Sequence, residues 1–252
     1  VRKALLTTRN DLSLPFFADW EIYFYDSAEF PAPLEVDLLY CRDPFNQPDF
    51  TPDKREIDQL ISSIHPSYSI DHISNFSDMR DFEDKWRQYQ RYRDFMPVTW
   101  LAPDVEFQEG AMIAKPRISQ RAKNICLTEA DYEAHHPDEN WIIQEKMEIR
   151  EELRAYVVRG EILPDATIKS SKTSDGDKVK VIGTRPLQAP ERDFVAQLMA
   201  KMPEIDLVGL DLAILPDGGM RLIEANRSPQ FKRYIEFTGI NLIERLENGK
   251  NT

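Results

Sequence analysis

Two kinds of hydrophobic spacing divide the chain. In its first third, the short apolar or β-branched runs RKALLTT (2–8) and VDLLYC (36–41) are spaced as strands, with the Pro-rich FPAPLE between them. A helix is predicted over 53–64, DKREIDQLISSI, where Ile57, Leu60, Ile61 and Ile64 recur at helical spacing. A second, longer helix is predicted over 77–95, with Met79, Phe82, Trp86 and Tyr89 as one apolar stripe and Ser77 as its N-cap. That stripe reads most simply as core packing. Pro97 and Pro103 then bracket a short crossover.

From Ala111 onward strands predominate. AMIAKP, NICLT, WIIQEKM, ELRAYVV, EILPDATIK and KVKVI each read as a strand, a helix fits ERDFVAQLMAKM, and a last hairpin joins LDLAIL to MRLIEAN. Two turns are explicit, Arg159-Gly160 and Asp217-Gly218-Gly219. The pattern predicts an α+β layer of antiparallel sheet covered on one side, preceded by a small α/β unit. The chain shows no internal repeat and no low-complexity tract, and ENGKNT is a polar tail.

Composition narrows the function classes. With 252 residues, 41% hydrophobic and 30% charged, the chain has the make-up of a soluble globular protein. A formal charge of -12 argues against broad binding to nucleic acid or to anionic membrane. No apolar run is long enough to cross a bilayer and no signal-peptide pattern is present; the start at Val1 leaves room for a preceding segment. Cys41 and Cys126 are too few for a disulfide framework and lack metal-ligand spacing, so a cytoplasmic setting is expected. His65, His72, His135 and His136 pair with no nucleophilic Ser or Cys, and HExxH and GxSxG are absent. AHHPDEN reads as a polar turn, and SDGD lacks the other ligands of a calcium loop.

The last hairpin carries the chemistry. Strand alternation points Glu224 and Asn226 the same way, and folding at Asp217–Gly219 brings Asp211 roughly opposite them. Three oxygen ligands would then cluster, which suits a hard divalent cation such as Mg²⁺ completed by water and substrate phosphate. The bland alternative is a set of solvated strand residues. Against it, a carboxylate inside VGLDLAIL would be costly to bury without a cation.

GLDLAILPDGGMRLIEANRSPQF resembles the metal-binding hairpin of the ATP-grasp ligase superfamily, usually a Gly-x-Asp strand, a turn, and a strand ending Glu-x-Asn-x-x-Pro. Other segments are similar in the same order: Lys85 on a helix before Pro97 and Thr99, Lys115 in MIAKPR, Gln144 and Glu145 in IIQEKME, and EELRAYVVRGEIL. The resemblance covers most of 84–231. It is to carboxylate-amine ligases, such as ribosomal-protein glutamate ligases and D-alanine:D-alanine ligases.

That resemblance implies an ATP-grasp fold: two α+β lobes gripping ATP over 75–252, behind a small N-terminal α/β domain over 1–74. The nucleotide-binding subdomain would span about 100–146 and the metal-binding subdomain about 147–247. Asp211, Glu224 and Asn226 would hold one or two Mg²⁺ ions, with Mn²⁺ as a substitute. Lys85, Lys115, Arg117, Arg121, Lys123, Gln144, Glu145, Lys146, Met147 and Glu152 would surround ATP. Lys169 and Lys172 would serve substrate and acyl phosphate, with Arg185 in reserve, and Arg154 would have a structural or phosphate-binding role. The partners implied are ATP, a carboxylate and an amine acceptor, small molecule or peptide.

Two departures stand beside the resemblance. KPRISQRAKNI has no glycine where the family's phosphate-covering loop is glycine-rich, so that Arg117, Arg121 and Lys123 would supply charged donors instead. Gln230 stands where Gly commonly follows the Pro. Two other classes stay open, a kinase on the same fold and a non-catalytic nucleotide-binding module.

Overall fold

The computed structural model describes residues 1–27, 33–42, 53–118, 125–170 and 180–248. The N-terminal part is a parallel sheet of β1 (Lys3–Thr7), β2 (Glu21–Phe24), β3 (Leu34–Cys41) and β4 (Ile64–Ser69), in the order β2-β1-β3-β4. Neither β2 nor β4 is evident from hydrophobic spacing. β4 is an edge strand, where Pro66 is tolerated because one side needs no ladder bond. Helix α1 (Lys54–Ser62) starts at Asp53, whose side chain accepts from the backbone N–H of Arg55 and Glu56. It buries Ile57, Leu60 and Ile61, whereas Ile64 belongs to β4 rather than to the helix.

The long helix expected over 77–95 is two helices, α2 (Phe76–Glu83) and α3 (Lys85–Tyr92). Asp84 breaks it: its backbone is extended, and its carboxylate caps α3 through the N–H groups of Trp86 and Arg87. Asn75, not Ser77, caps α2. The apolar stripe is interrupted accordingly. Met79 and Phe82 are buried, but in α3 the buried face is Lys85, Gln88 and Tyr92, while Trp86 and Tyr89 stack on each other part-exposed.

A three-stranded antiparallel sheet follows, β5 (Thr99–Leu101), β6 (Met112–Pro116) and β7 (Trp141–Glu145), in the order β5-β7-β6. NICLT contributes only a bridge from Cys126 to Ala114 rather than a strand. Between them lies helix α4 (Glu129–His135), which takes in the start of the expected polar turn and ends where His136 turns left-handed.

The central sheet is antiparallel: β8 (Glu151–Val158), β9 (Glu161–Ile162), β10 (Asp165–Lys169), β11 (Val181–Pro186), β12 (Leu207–Ile214) and β13 (Met220–Asn226), in the order β11-β10-β8-β12-β13 with β9 beside β8. EILPDATIK is thus two strands broken at Leu163-Pro164. The turn between β8 and β9 has positive φ at both Arg159 and Gly160, as a two-residue hairpin turn of matching twist requires. Helix α5 (Ala189–Met199) precedes β12. Helices α6 (Lys232–Thr238) and α7 (Leu242–Asn248), unforeseen, close the chain.

The central sheet has two unlike faces. Leu153, Ala155 and Val157 of β8 and Val208, Leu210 and Leu212 of β12 pack on one side with Val195 and Leu198 of α5. On the other side, Tyr156, Val158 and Leu207 share a core with Leu5 and Tyr40 of the N-terminal sheet, with Ile70 directly after β4, and with Tyr234, Leu242 and Leu246. The remainder of that second face is polar. Cys41 and Cys126 are buried and free, and among the described residues no helix is long and apolar enough to cross a membrane.

Candidate active site

The polar half of the second face is a cross-strand row. Thr167 of β10 pairs with Arg154 of β8, Arg154 with Asp211 of β12, and Asp211 with Glu224 of β13. The β12–β13 register slips at Ile223: Asp211 opposes Glu224, yet Leu212 opposes Leu222. This bulge lets Leu222 and Ala225 both join the core behind the sheet while Glu224 and Asn226 share the front. Without it, strict alternation would place Leu222 on the acidic face. Asn226 pairs across the sheet with Gly209, so the three proposed metal ligands occupy one corner of the hairpin.

Asp211 is 4% exposed and held by two cations. Arg154 donates Nε to Oδ1 at 2.6 Å and Nη2 to Oδ2 at 2.8 Å, and Lys169 Nζ reaches Oδ2 at 2.5 Å. Burial would raise this carboxyl, but Arg154 and then Lys169 outweigh burial and hold it well below the ordinary carboxylate range. Lys169 also binds Glu152 Oε1 at 2.6 Å, its cross-strand neighbour.

Helix α3 brings in another cation. The Gln88 amide donates to Ala225 O and accepts from Ala225 N–H, both bonds running to the exposed edge of β13. It thereby stands in for a further strand. With α3 so fixed, Lys85 Nζ lies 3.6 Å from Glu224 Oε1. Lys115, on β6 of the smaller sheet, is buried and donates to Gln144 Oε1 at 3.0 Å, while the Gln144 amide donates to Thr99 Oγ1 at 2.9 Å. Burial, and then neighbouring Lys85, push the Lys115 ammonium down to about 8 against the pull of Glu224, Glu152 and Asp211. Lys85, Lys115, Glu152, Arg154, Lys169, Asp211 and Glu224 therefore form one charged cluster, with Gln144 bonded to Lys115 and Asn226 two residues beyond Glu224 on β13.

Other expected residues stand apart. Arg117 forks onto Asp84, at 3.2 and 2.5 Å, and donates to Glu139 O, so it braces the cap of α3. Arg185 is divided between Glu151 and Glu191, the latter in the first turn of α5. Glu145 ends β7 with an exposed side chain, followed by exposed Lys146 and half-buried Met147. Arg121, Lys123 and Lys172 lie outside the described residues. Thr99, which orients Gln144, is the site residue whose role hydrophobic spacing does not signal.

Among the described residues no three His, Cys, Asp or Glu side chains group to hold a metal ion. The corner offers two carboxylates and an amide oxygen, a hard-oxygen set that fits Mg²⁺ with water and phosphate completing its shell. A cavity of about 350 Å³ lined by Tyr68, Arg159, Glu161, Asp206 and Arg245 shares no residue with this cluster. Two ion pairs lie within it, Arg245 with Glu161 at 2.6 Å and Arg159 with Asp206 at 3.6 Å.

The fold has close counterparts. It is similar to D-cycloserine synthetase DcsG (15% identity, 98% of each chain covered, TM-score 0.73). It is also similar to macrocyclase MdnC from Microcystis aeruginosa MRC bound with precursor peptide MdnA (17%, 97% of each chain, 0.63). A third is ATP-grasp ligase PsnB with a phosphomimetic variant of its minimal precursor, Mg and ADP (13%, 97% of this chain and 98% of that one, 0.64). No curated protein matches the chain in sequence. The model of the ATP-grasp domain, R2K clade family 3, matches residues 44–234, and with that span the chain belongs to the ATP-grasp family.

Proposed function

We propose that the chain is an ATP-dependent carboxylate-amine ligase that works through an acyl phosphate. The observation that carries this reading is the meeting of Lys85 and Lys115 with the acidic corner of Asp211, Glu224 and Asn226. Cations for phosphate and oxygen ligands for Mg²⁺ face one another, and the similar folds belong to ligases.

In this reading Asp211, Glu224 and Asn226 hold Mg²⁺, which when bound neutralises phosphate charge. Lys115 and Lys85 bind phosphate oxygens, and Gln144 with the end of β7 lies beside the base. A substrate carboxylate oxygen takes the γ-phosphoryl group and ADP leaves. The amine nitrogen then attacks the acyl carbon, phosphate departs with that oxygen, and the nitrogen sheds a proton. Positioning and charge neutralisation supply most of the catalysis, as is usual in phosphoryl transfer. Arg154 and Lys169 neutralise Asp211 and place cations beside the reacting groups. The complexes of MdnC and PsnB with precursor peptides favour a peptide as the substrate class.

A screen of carboxylate and amine pairs, peptides included, tests the reading. ADP release that requires both partners and yields an amide supports it. ADP release that ignores the amine assigns a kinase instead, and nucleotide binding without turnover assigns a binding module.

A further inference from the structure

Directly after Asn226, four consecutive backbone carbonyls accept hydrogen bonds from buried side chains. Tyr40 OH donates to Arg227 O at 3.3 Å, Arg42 Nη2 to Ser228 O at 3.5 Å and to Pro229 O at 3.2 Å, and Tyr156 OH to Gln230 O at 2.8 Å. Of the three donors, Tyr40 lies near the end of β3, in the N-terminal sheet, and Arg42 directly follows that strand. Arg42 is 2% exposed and its charge is matched by Asp11, which accepts from Nε at 2.6 Å. Asp11 in turn accepts from Thr7 Oγ1 and Ser13 N–H, and Ser13 Oγ reaches Gln230 Oε1 at 3.4 Å. On its other side the loop leans on Gly209, where a Cβ would come within 2.6 Å of Pro229 Cβ. Gly209 is the strand partner of Asn226.

A buried guanidinium with every donor aimed at this loop or at its holders is an expensive way to secure a turn, because an ion pair out of water scarcely stabilises by itself. We infer that Arg42 is a positioning residue: through Ser228 and Pro229 it fixes the loop that sets Asn226 against the metal, and Gln230 ties that loop through Ser13 to the segment between β1 and β2. The inference rests on the proposed metal site. It also gives Gln230, the departure from the family's Gly, a function as an anchor.

Arg42→Lys keeps the charge beside Asp11 but loses the fork that spans Ser228 and Pro229. The double variant Asp11→Asn, Arg42→Gln removes the ion pair without stranding a charge. Free Mn²⁺ is followed by electron paramagnetic resonance in the presence of a non-hydrolysable ATP analogue, and thermal unfolding is recorded without ligand. The expected result is Mn²⁺ affinity weaker by about tenfold or more in Arg42→Lys, with nucleotide affinity in the absence of metal unchanged and unfolding close to that of the parent. Parent-like Mn²⁺ affinity in a folded variant overturns the positioning role alone. Failure of both variants to fold also overturns it, assigning the clamp to stability. A parent chain that binds no Mn²⁺ with nucleotide overturns the metal site and the positioning role together.

Discussion

Lys115 is a buried ammonium whose direct hydrogen-bond partner, Gln144, is neutral. Its pKa of about 8 in the folded chain, against 10.5 ordinarily, means that the folded state holds fewer protons than the unfolded state between those values. Stability without ligand should therefore rise with pH from about 8 upward, by at most about 3 kcal/mol. Phosphate would reverse the preference. ATP binding above pH 8 is expected to take up close to one proton and to weaken towards tenfold per pH unit, read by calorimetry in buffers of different protonation enthalpy. Binding with no proton uptake would show that Lys115 does not face the nucleotide. The burial of Lys115 was legible, because it stands between apolar residues in MIAKPR. The place of Arg117 was not, because Asp84, which captures it, reads as one more polar residue inside a helical stripe until the helix is seen to break there.

At the scale of elements, the acidic hairpin was legible in nearly full detail. Turn chemistry set its register, and Asp211 does oppose Glu224. The bulge at Ile223 left no mark in composition, since one extra apolar residue in an apolar strand looks like any other. Helices α6 and α7 and strand β4 were missed for a related reason: each is short, and tertiary packing rather than periodicity sustains it. The edge of β13 depends on α3. Gln88→Met strips both bonds to Ala225 and leaves a buried N–H and C=O unmatched, which should lower stability by about 1–3 kcal/mol in urea unfolding; a parent-like midpoint would mean that the edge is satisfied otherwise. Gly209→Ala should cost about 1–3 kcal/mol through the clash with Pro229 and should weaken metal binding as well.

Over the whole molecule, the N-terminal and central sheets are joined by a core and by a reciprocal clasp. Asp71 accepts from Asp206 N–H and Leu207 N–H, and Asp206 accepts from Asp71 N–H and Tyr68 OH. Burial pushes the Asp71 carboxyl up to about 6, against the partial relief of nearby Arg227. A folded pKa above the unfolded one contributes stability that is full below about pH 4 and is lost as pH rises through 6. Asp71→Asn should flatten that part of the pH–stability curve and raise stability at pH 7 by up to about 3 kcal/mol. An unchanged slope between pH 4 and 6 would place the titration elsewhere. Composition cannot reveal such a clasp, because its two aspartates lie far apart in the chain and meet only when the sheets dock.

The central claim is that Asp211 and Glu224, facing Lys85 and Lys115, form a metal-dependent nucleotide site. Isothermal titration of a non-hydrolysable ATP analogue, with and without Mg²⁺, on the parent chain and on the double variant Asp211→Asn, Glu224→Gln addresses it most directly. The parent should bind more tightly with Mg²⁺ and the variant should lose that gain while still folding. Mg²⁺-dependent binding that survives in the variant, or a parent that binds no nucleotide, would contradict the site.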